Sequence, residues 1–254
     1  MESQQEIAGK KIFLLYPHSV IREEMLDLLI MAGYETYTLS DVKKAQKLLK
    51  MFPGSIMFIN IDEGLKEPEW ESYIRGIQND PATNSCHLGI MSYNHDRDLM
   101  KKYLMDMSVS CGYIQLKLGL QESAKILINA LEANEARGRR KYIRAGCKDD
   151  LNAKVNFKEN HDLHYGKILD ISSVGIAAEF DKPVDIALKA LLREVQLKLR
   201  VGLVHTDMIY LGQRSDNKSI YIMLFDGHLS SGDKLVIHRY IKNCLQKYID
   251  TLKV

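Results

Sequence analysis

The apolar residues of this chain change their spacing part way along, and this limits the fold more than any other feature. Over about the first 135 residues, short apolar runs alternate with helical patterns. KIFLLY (Lys11 to Tyr16) has the composition of a buried strand, and Val20, Ile21, Met25, Leu28, Leu29 and Ala32 follow at helical spacing before Gly33, a candidate C-terminal cap. Four more strand and helix pairs are predicted: Thr36 to Leu39 with Ser40 to Phe52, Ile56 to Ile61 with Glu69 to Gln78, Leu88 to Tyr93 with Asp96 to Met107, and Tyr113 to Leu116 with Gln121 to Ala136. Strands that each return through a helix form a parallel, doubly wound sheet with both faces covered.

After residue 150 the spacing becomes two. Ala153, Val155 and Phe157 alternate with polar residues, as do Val195, Leu197, Leu199 and Val201. Tyr165 to Ser172, Gly175 to Phe180, Thr206 to Leu211 and Ser219 to Phe225 have the same character, that of antiparallel strands with one wet face. A small antiparallel β-barrel is expected, closed by a helix from Asp233 to about Leu252. Its apolar stripe reads Ile237, Ile241, Cys244, Tyr248 and Leu252. The predicted organisation is an α/β domain over 1–136, a linker over 137–144 and a β-barrel domain over 145–254.

With 254 residues, each half is long enough to bury a core of its own. The 35 basic and 33 acidic residues are too evenly balanced for a protein that coats nucleic acid, so any anion site is local. Cys86, Cys111, Cys147 and Cys244 are scattered without a CxxC pair, which suggests neither a disulfide framework nor a zinc site. MESQQEIAGKKIFLLY lacks the apolar core of a secretion signal, and no apolar run is long enough for a membrane span. The expectation is a cytoplasmic monomer with no cofactor and no metal.

The first half resembles the receiver domain of response regulators, chiefly through KIFLLYPHSVIREEMLDLLIMAGYE. Receivers hold magnesium with an acidic pair after the first strand, where this chain has Tyr16, Pro17 and His18. The phosphate-accepting aspartate is replaced by Asn60, with Asp62 two residues beyond. The switch hydroxyl survives as Ser92, and the lysine position falls on Leu116, or on Lys117 with a shift of one. The resemblance thus implies a receiver fold without receiver chemistry, whose helical faces would serve a protein partner.

Two short stretches carry the functional reading. RRKYIR (Arg139 to Arg144) opens the linker; from Arg137 to Lys148 there are six basic residues and no acidic one. DISSVG (Asp170 to Gly175) lies in a predicted strand and the bend after it. Taken alone, the first reads as a solvated linker and the second as a turn held by its own Asp and Ser. Together, RxxxR (Arg140, Arg144) followed about 26 residues later by DxSxxG (Asp170, Ser172, Gly175) resembles the PilZ domain, the bacterial receptor module for cyclic di-GMP, over about residues 138 to 254.

That resemblance implies roles. Arg140 and Arg144 would grip guanine edges and phosphates, since an arginine fork can bond O6 and N7 as a pair or take phosphate oxygens. Arg139 would assist; Tyr142 would either stack or pack. Asp170 would accept from a guanine N–H, Ser172 would bond nearby, and Gly175 would leave room. One or two ligand molecules are equally compatible with the motifs. His161 and His164 read as part of a solvated hairpin loop rather than as metal ligands, and there is no nucleophile elbow or phosphate loop to suggest an enzyme. Competing readings are a nucleic-acid binder using the same arginines, a phosphorylation-controlled regulator and a docking adaptor without ligand.

Overall fold

The structure, a computed structural model, describes residues 9–159 and 162–253. The chain forms two compact units, Met1–Lys141 with Thr251–Val254 and Tyr142–Asp250.

The first unit is a five-stranded parallel sheet in the order β2-β1-β3-β4-β5. The strands are β1 (Ile12–Leu15), β2 (Thr36–Leu39), β3 (Ile56–Asn60), β4 (His87–Ser92) and β5 (Tyr113–Gln115). The helices between and after them are α1 (Arg22–Met31), α2 (Val42–Met51), α3 (Glu67–Asn79), α4 (Arg97–Lys101) and α5 (Leu120–Ala133). Ile12, Phe13, Leu14 and Leu15 are all fully buried, as they must be in a central strand covered on both faces. Local sequence sets the helix ends. Gly33 and Tyr34 donate their N–H groups to the carbonyls of Ile30 and Leu29 to close α1, and Asp41 accepts from Lys44 N at 2.6 Å to open α2, a cap of about 1 kcal/mol. The segment read as one helix from Asp96 to Met107 is divided: α4 widens into a π turn over Lys102–Asp106.

The second unit is a closed antiparallel barrel. Its strands are β6 (Ala145–Gly146), β7 (Lys154–Glu159), β8 (Asp162–Ser172), β9 (Gly175–Phe180), β10 (Leu191–Leu199), β11 (Gly202–Gln213) and β12 (Ile220–Phe225). The order β8-β7-β10-β11-β12-β9 returns to β8, giving six strands without a free edge, with β6 laid on the far end of β8. Inside, Phe180 packs edge-on against Phe157 and Tyr221, with ring centroids 5.4 and 5.2 Å apart. The buried Tyr221 hydroxyl is satisfied by the backbone N–H and carbonyl of Val184.

Helix α6 (Ser231–Thr251) ends the barrel unit. Its buried residues are Ile237, Tyr240, Ile241, Leu245 and Ile249, which match the stripe expected from the sequence at Ile237 and Ile241 and depart from it beyond. Tyr248 is 46% exposed and Cys244 and Leu252 only partly buried, because the covered face rotates around the helix as it advances while a stripe read from spacing stays straight. His161 lies outside the described residues. His164 stands on β8 beside the Phe157 ring, centroids 5.3 Å apart. Among the described residues no group of three His, Cys, Asp or Glu side chains could hold a metal ion, and no helix is long and apolar enough to cross a membrane.

Candidate ligand site on the barrel

Strand pairing decides which motif residues meet. Gly146 of β6 lies opposite Asp170 of β8 and Ala145 opposite Ile171, and Arg144 immediately precedes β6. On the other side of β8, Asp170 pairs with Ala177 and Ser172 with Gly175. Directly paired residues point to the same face. Carried across the barrel, one row therefore reads Gly146, Asp170, Ala177, Ile222 and Gly212, and the next reads Ser172, Gly175, Leu224 and Ile209.

This face is the outer one. Along β12, Tyr221, Met223 and Phe225 are buried, while Ile222 and Leu224 between them are half-buried. On this face Asp170, Ile222 and Leu224 are half-buried, while Ala177, Ser172 and Gly175 are buried. Asp170 reaches this face because of a β-bulge. Leu169 is an extra residue between Ile168, paired with Ala178, and Asp170, paired with Ala177. The bulge keeps Ile168 and Ile171, three apart, both fully buried and turns Asp170 outward; without it, simple alternation would put Asp170 inside with Ile168. The Leu169 carbonyl is satisfied by the N–H of Cys147 at 2.8 Å.

The hydroxyl of Ser172 holds the hairpin. It donates to the Gly175 carbonyl at 3.2 Å, accepts from Val174 N at 3.4 Å, and Ser172 is only 5% exposed. Gly175 does not have a positive φ. What its missing side chain admits here is β12: a Cβ would lie 2.2 Å from the Met223 carbonyl oxygen and 2.9 Å from Leu224 Cα. Arg144 is exposed, as are Arg139 and Arg140, which belong to the first compact unit, whose division from the second falls between Lys141 and Tyr142. Tyr142 is 39% exposed.

One cation near this face is absent from both motifs. Arg214, after β11, forms a double hydrogen bond with Asp216 at 2.9 and 2.6 Å. Asp216 first, and Asp170 at longer range, push the Arg214 guanidinium above its ordinary value. Only the three-dimensional path of β11 brings it near Asp170; no spacing in the sequence marks it.

In the first unit, side chains of the unit itself fill the space beside Asn60, where the sequence resemblance puts the acceptor aspartate of a receiver. Tyr16, with φ +50°, lies across Gly64, whose Cβ would stand 2.6 Å from the Tyr16 ring and whose φ of +83° suits glycine. Trp70 meets the ring of Tyr16 edge-on at 6.1 Å. Asn60 donates to the Tyr16 carbonyl at 2.9 Å and accepts from Asp62 N at 3.1 Å. Asp62 in turn takes the Ser92 hydroxyl at 2.5 Å and the Tyr93 N–H at 2.7 Å. Leu116 is buried and Lys117 exposed. Incubation with acetyl phosphate and magnesium is accordingly expected to leave the chain unlabelled, checked by intact mass; an acid-stable, hydroxylamine-sensitive phosphate on Asp62 is the opposing outcome.

No family model matches the sequence, and no curated protein matches it. Solved structures similar to parts of the chain include the PilZ domain of YcgR from Escherichia coli with c-di-GMP, at 15% identity, 45% of this chain, 99% of that one and a TM-score of 0.38. The inhibitor of motility MotI/DgrA from Bacillus subtilis is 18% identical over 45% of this chain and 53% of its own, with a TM-score of 0.35. The signal receiver domain of an HD domain-containing protein from Pseudomonas fluorescens Pf-5 is 19% identical over 50% of this chain and 97% of its own, with a TM-score of 0.40. The chain thus spans about half the length of MotI/DgrA.

Proposed function

We propose that this protein is a receptor for cyclic di-GMP, bound on the outer face of the barrel. The observation that supports this reading is the pairing of β6, which Arg144 immediately precedes, with the Asp170–Ile171 part of β8. A cyclic guanine dinucleotide needs a cationic fork for phosphate or guanine O6 and N7, an acceptor for guanine N–H groups and an apolar surface for the base. Arg144 with Arg140 and Arg139 would supply the first, Asp170 the second, and the half-buried Ile222 and Leu224 the third.

The arginine arm is also the covalent connection between the two halves. Ligand that gathers Arg140 and Arg144 onto the barrel would therefore change the geometry between the halves and present the receiver-like helices differently to a protein partner. Motility, adhesion or an envelope function is the output that fits such a receptor.

Calorimetric titration of the full chain with cyclic di-GMP, with donor and acceptor dyes on the two halves, tests both claims. Saturable heat with a change in energy transfer is expected. Absence of heat overturns the receptor reading; heat without a change in transfer overturns the rearrangement. Binding to duplex DNA that falls steeply with salt and ignores a cyclic di-GMP competitor would favour a nucleic-acid binder instead.

A further inference from the structure

The arm that carries the arginines starts out fastened to the first unit. After α5 the Ala136 carbonyl accepts from Lys10 N at 2.9 Å, and a Cβ on Gly9 would stand 2.6 Å from Gly138 N. Arg137 then reaches the end of α1. Its Nη2 donates to the Ala32 carbonyl at 2.9 Å, and its guanidinium carbon lies 5.1 Å from the centre of the buried Tyr34 ring. Farther along, the Lys141 carbonyl passes so close to Gly33 that a Cβ there would stand 2.8 Å from its oxygen. All of these contacts lie within the first unit, which runs to Lys141.

The end of α1 has a use for that cation. α1 has Glu23 and Glu24 in its first turn and no basic residue in its last. The carbonyls at a helix C-terminus carry partial negative charge that a cation in place relieves. Arg137, 105 residues away in the chain, supplies what α1 lacks. A guanidinium is suited to both contacts at once, since its planar fork donates to the carbonyl while its face meets the aromatic ring.

We propose that Arg137 is an autoinhibitory strap, which holds the start of the arm on α1 and so opposes the gathering of Arg140 and Arg144 around cyclic di-GMP.

The strap rests on the receptor reading above and adds its regulation. Arg137 belongs to neither RxxxR nor DxSxxG. Arg140 lies between two points fastened to the first unit, Arg137 at Ala32 and Lys141 at Gly33, so it joins a ligand on the barrel only when the strap gives way. Ligand then selects the released arm. Its apparent dissociation constant is raised by the factor that the strapped population imposes. Arg137 is exposed, and an exposed cation at a helix end or over a ring contributes little, so that factor is about three to ten.

Calorimetric titration of the full chain and of R137A with cyclic di-GMP tests the proposal, with brief trypsin digestion of both proteins, free of ligand, as a second readout. R137A is expected to bind about threefold to tenfold more tightly. R137K should fall between, because an ammonium keeps the charge at the end of α1 and loses the flat face over Tyr34. Without ligand, cleavage after Arg140 should be faster in R137A by a similar factor, since the protease acts on the released arm. Unchanged affinity overturns the proposal by making the contact a bystander, and weaker affinity overturns it by making Arg137 a grip on the ligand. Equal cleavage of the two proteins overturns it as well. Absence of heat with both proteins is a different failure: it removes the receptor reading and with it the regulatory role, and faster cleavage of R137A would then mark a structural anchor alone.

Discussion

Replacing Arg144 by alanine is expected to weaken cyclic di-GMP binding by roughly tenfold to a hundredfold, since a paired guanidinium contact contributes about 1–3 kcal/mol and each 1.4 kcal/mol is a factor of ten. Arg144 is exposed and lies just outside β6, so its removal should leave the thermal midpoint of the ligand-free protein in place. Arg144→Lys is expected to recover only part of the loss, because an ammonium can hold phosphate but cannot fork onto O6 and N7. The same titration on Asp170→Ala completes the set. Affinity unchanged by Arg144→Ala would sink the assignment of the site to this face.

A different loss is expected for Gly175→Ala. The added methyl would stand 2.2 Å from the Met223 carbonyl oxygen, and both the atom it meets and the Leu224 Cα at 2.9 Å belong to backbone. Backbone of a closed barrel cannot swing away as a flexible side chain would, so β9 and β12 must separate locally. Overpacking of this kind costs about 1–3 kcal/mol, and the contact here argues for the upper end. Thermal unfolding without ligand should therefore fall by several degrees. If the only role of Gly175 were to leave room for a ligand, the midpoint would stay fixed and affinity alone would change. The two outcomes separate a glycine that shapes the barrel from one that merely lines a site.

The elements themselves were largely legible in the sequence. Strands buried on both faces have to be apolar along their whole length, as Ile12 to Leu15 and Ile56 to Ile59 are, and strands of a barrel have to alternate, as β10 does from Val195 to Leu199. The elements that escaped are those with too few residues to show a period. β6 has two, yet its pairing with Asp170 and Ile171 ties the end of the arginine arm to β8. The bulge at Leu169 left no mark either, because one extra residue looks like an ordinary lapse in alternation until its partner strand is known. The stripe on α6 was misread at Tyr248 and Leu252 because helical spacing alone does not say how the covered face turns.

By itself, the sequence determined the two architectures, the absence of carboxylates at Tyr16 and Asn60, and the pair of motifs RxxxR and DxSxxG. These depend on residue type and local period, which a chain carries in one dimension. Only the tertiary structure decided that Asp170 faces outward, that Gly175 admits a neighbouring strand, and that the Tyr16 ring lies over Gly64. Each of these depends on a partner distant in the chain, and contacts of that kind come into being only when barrel and sheet close.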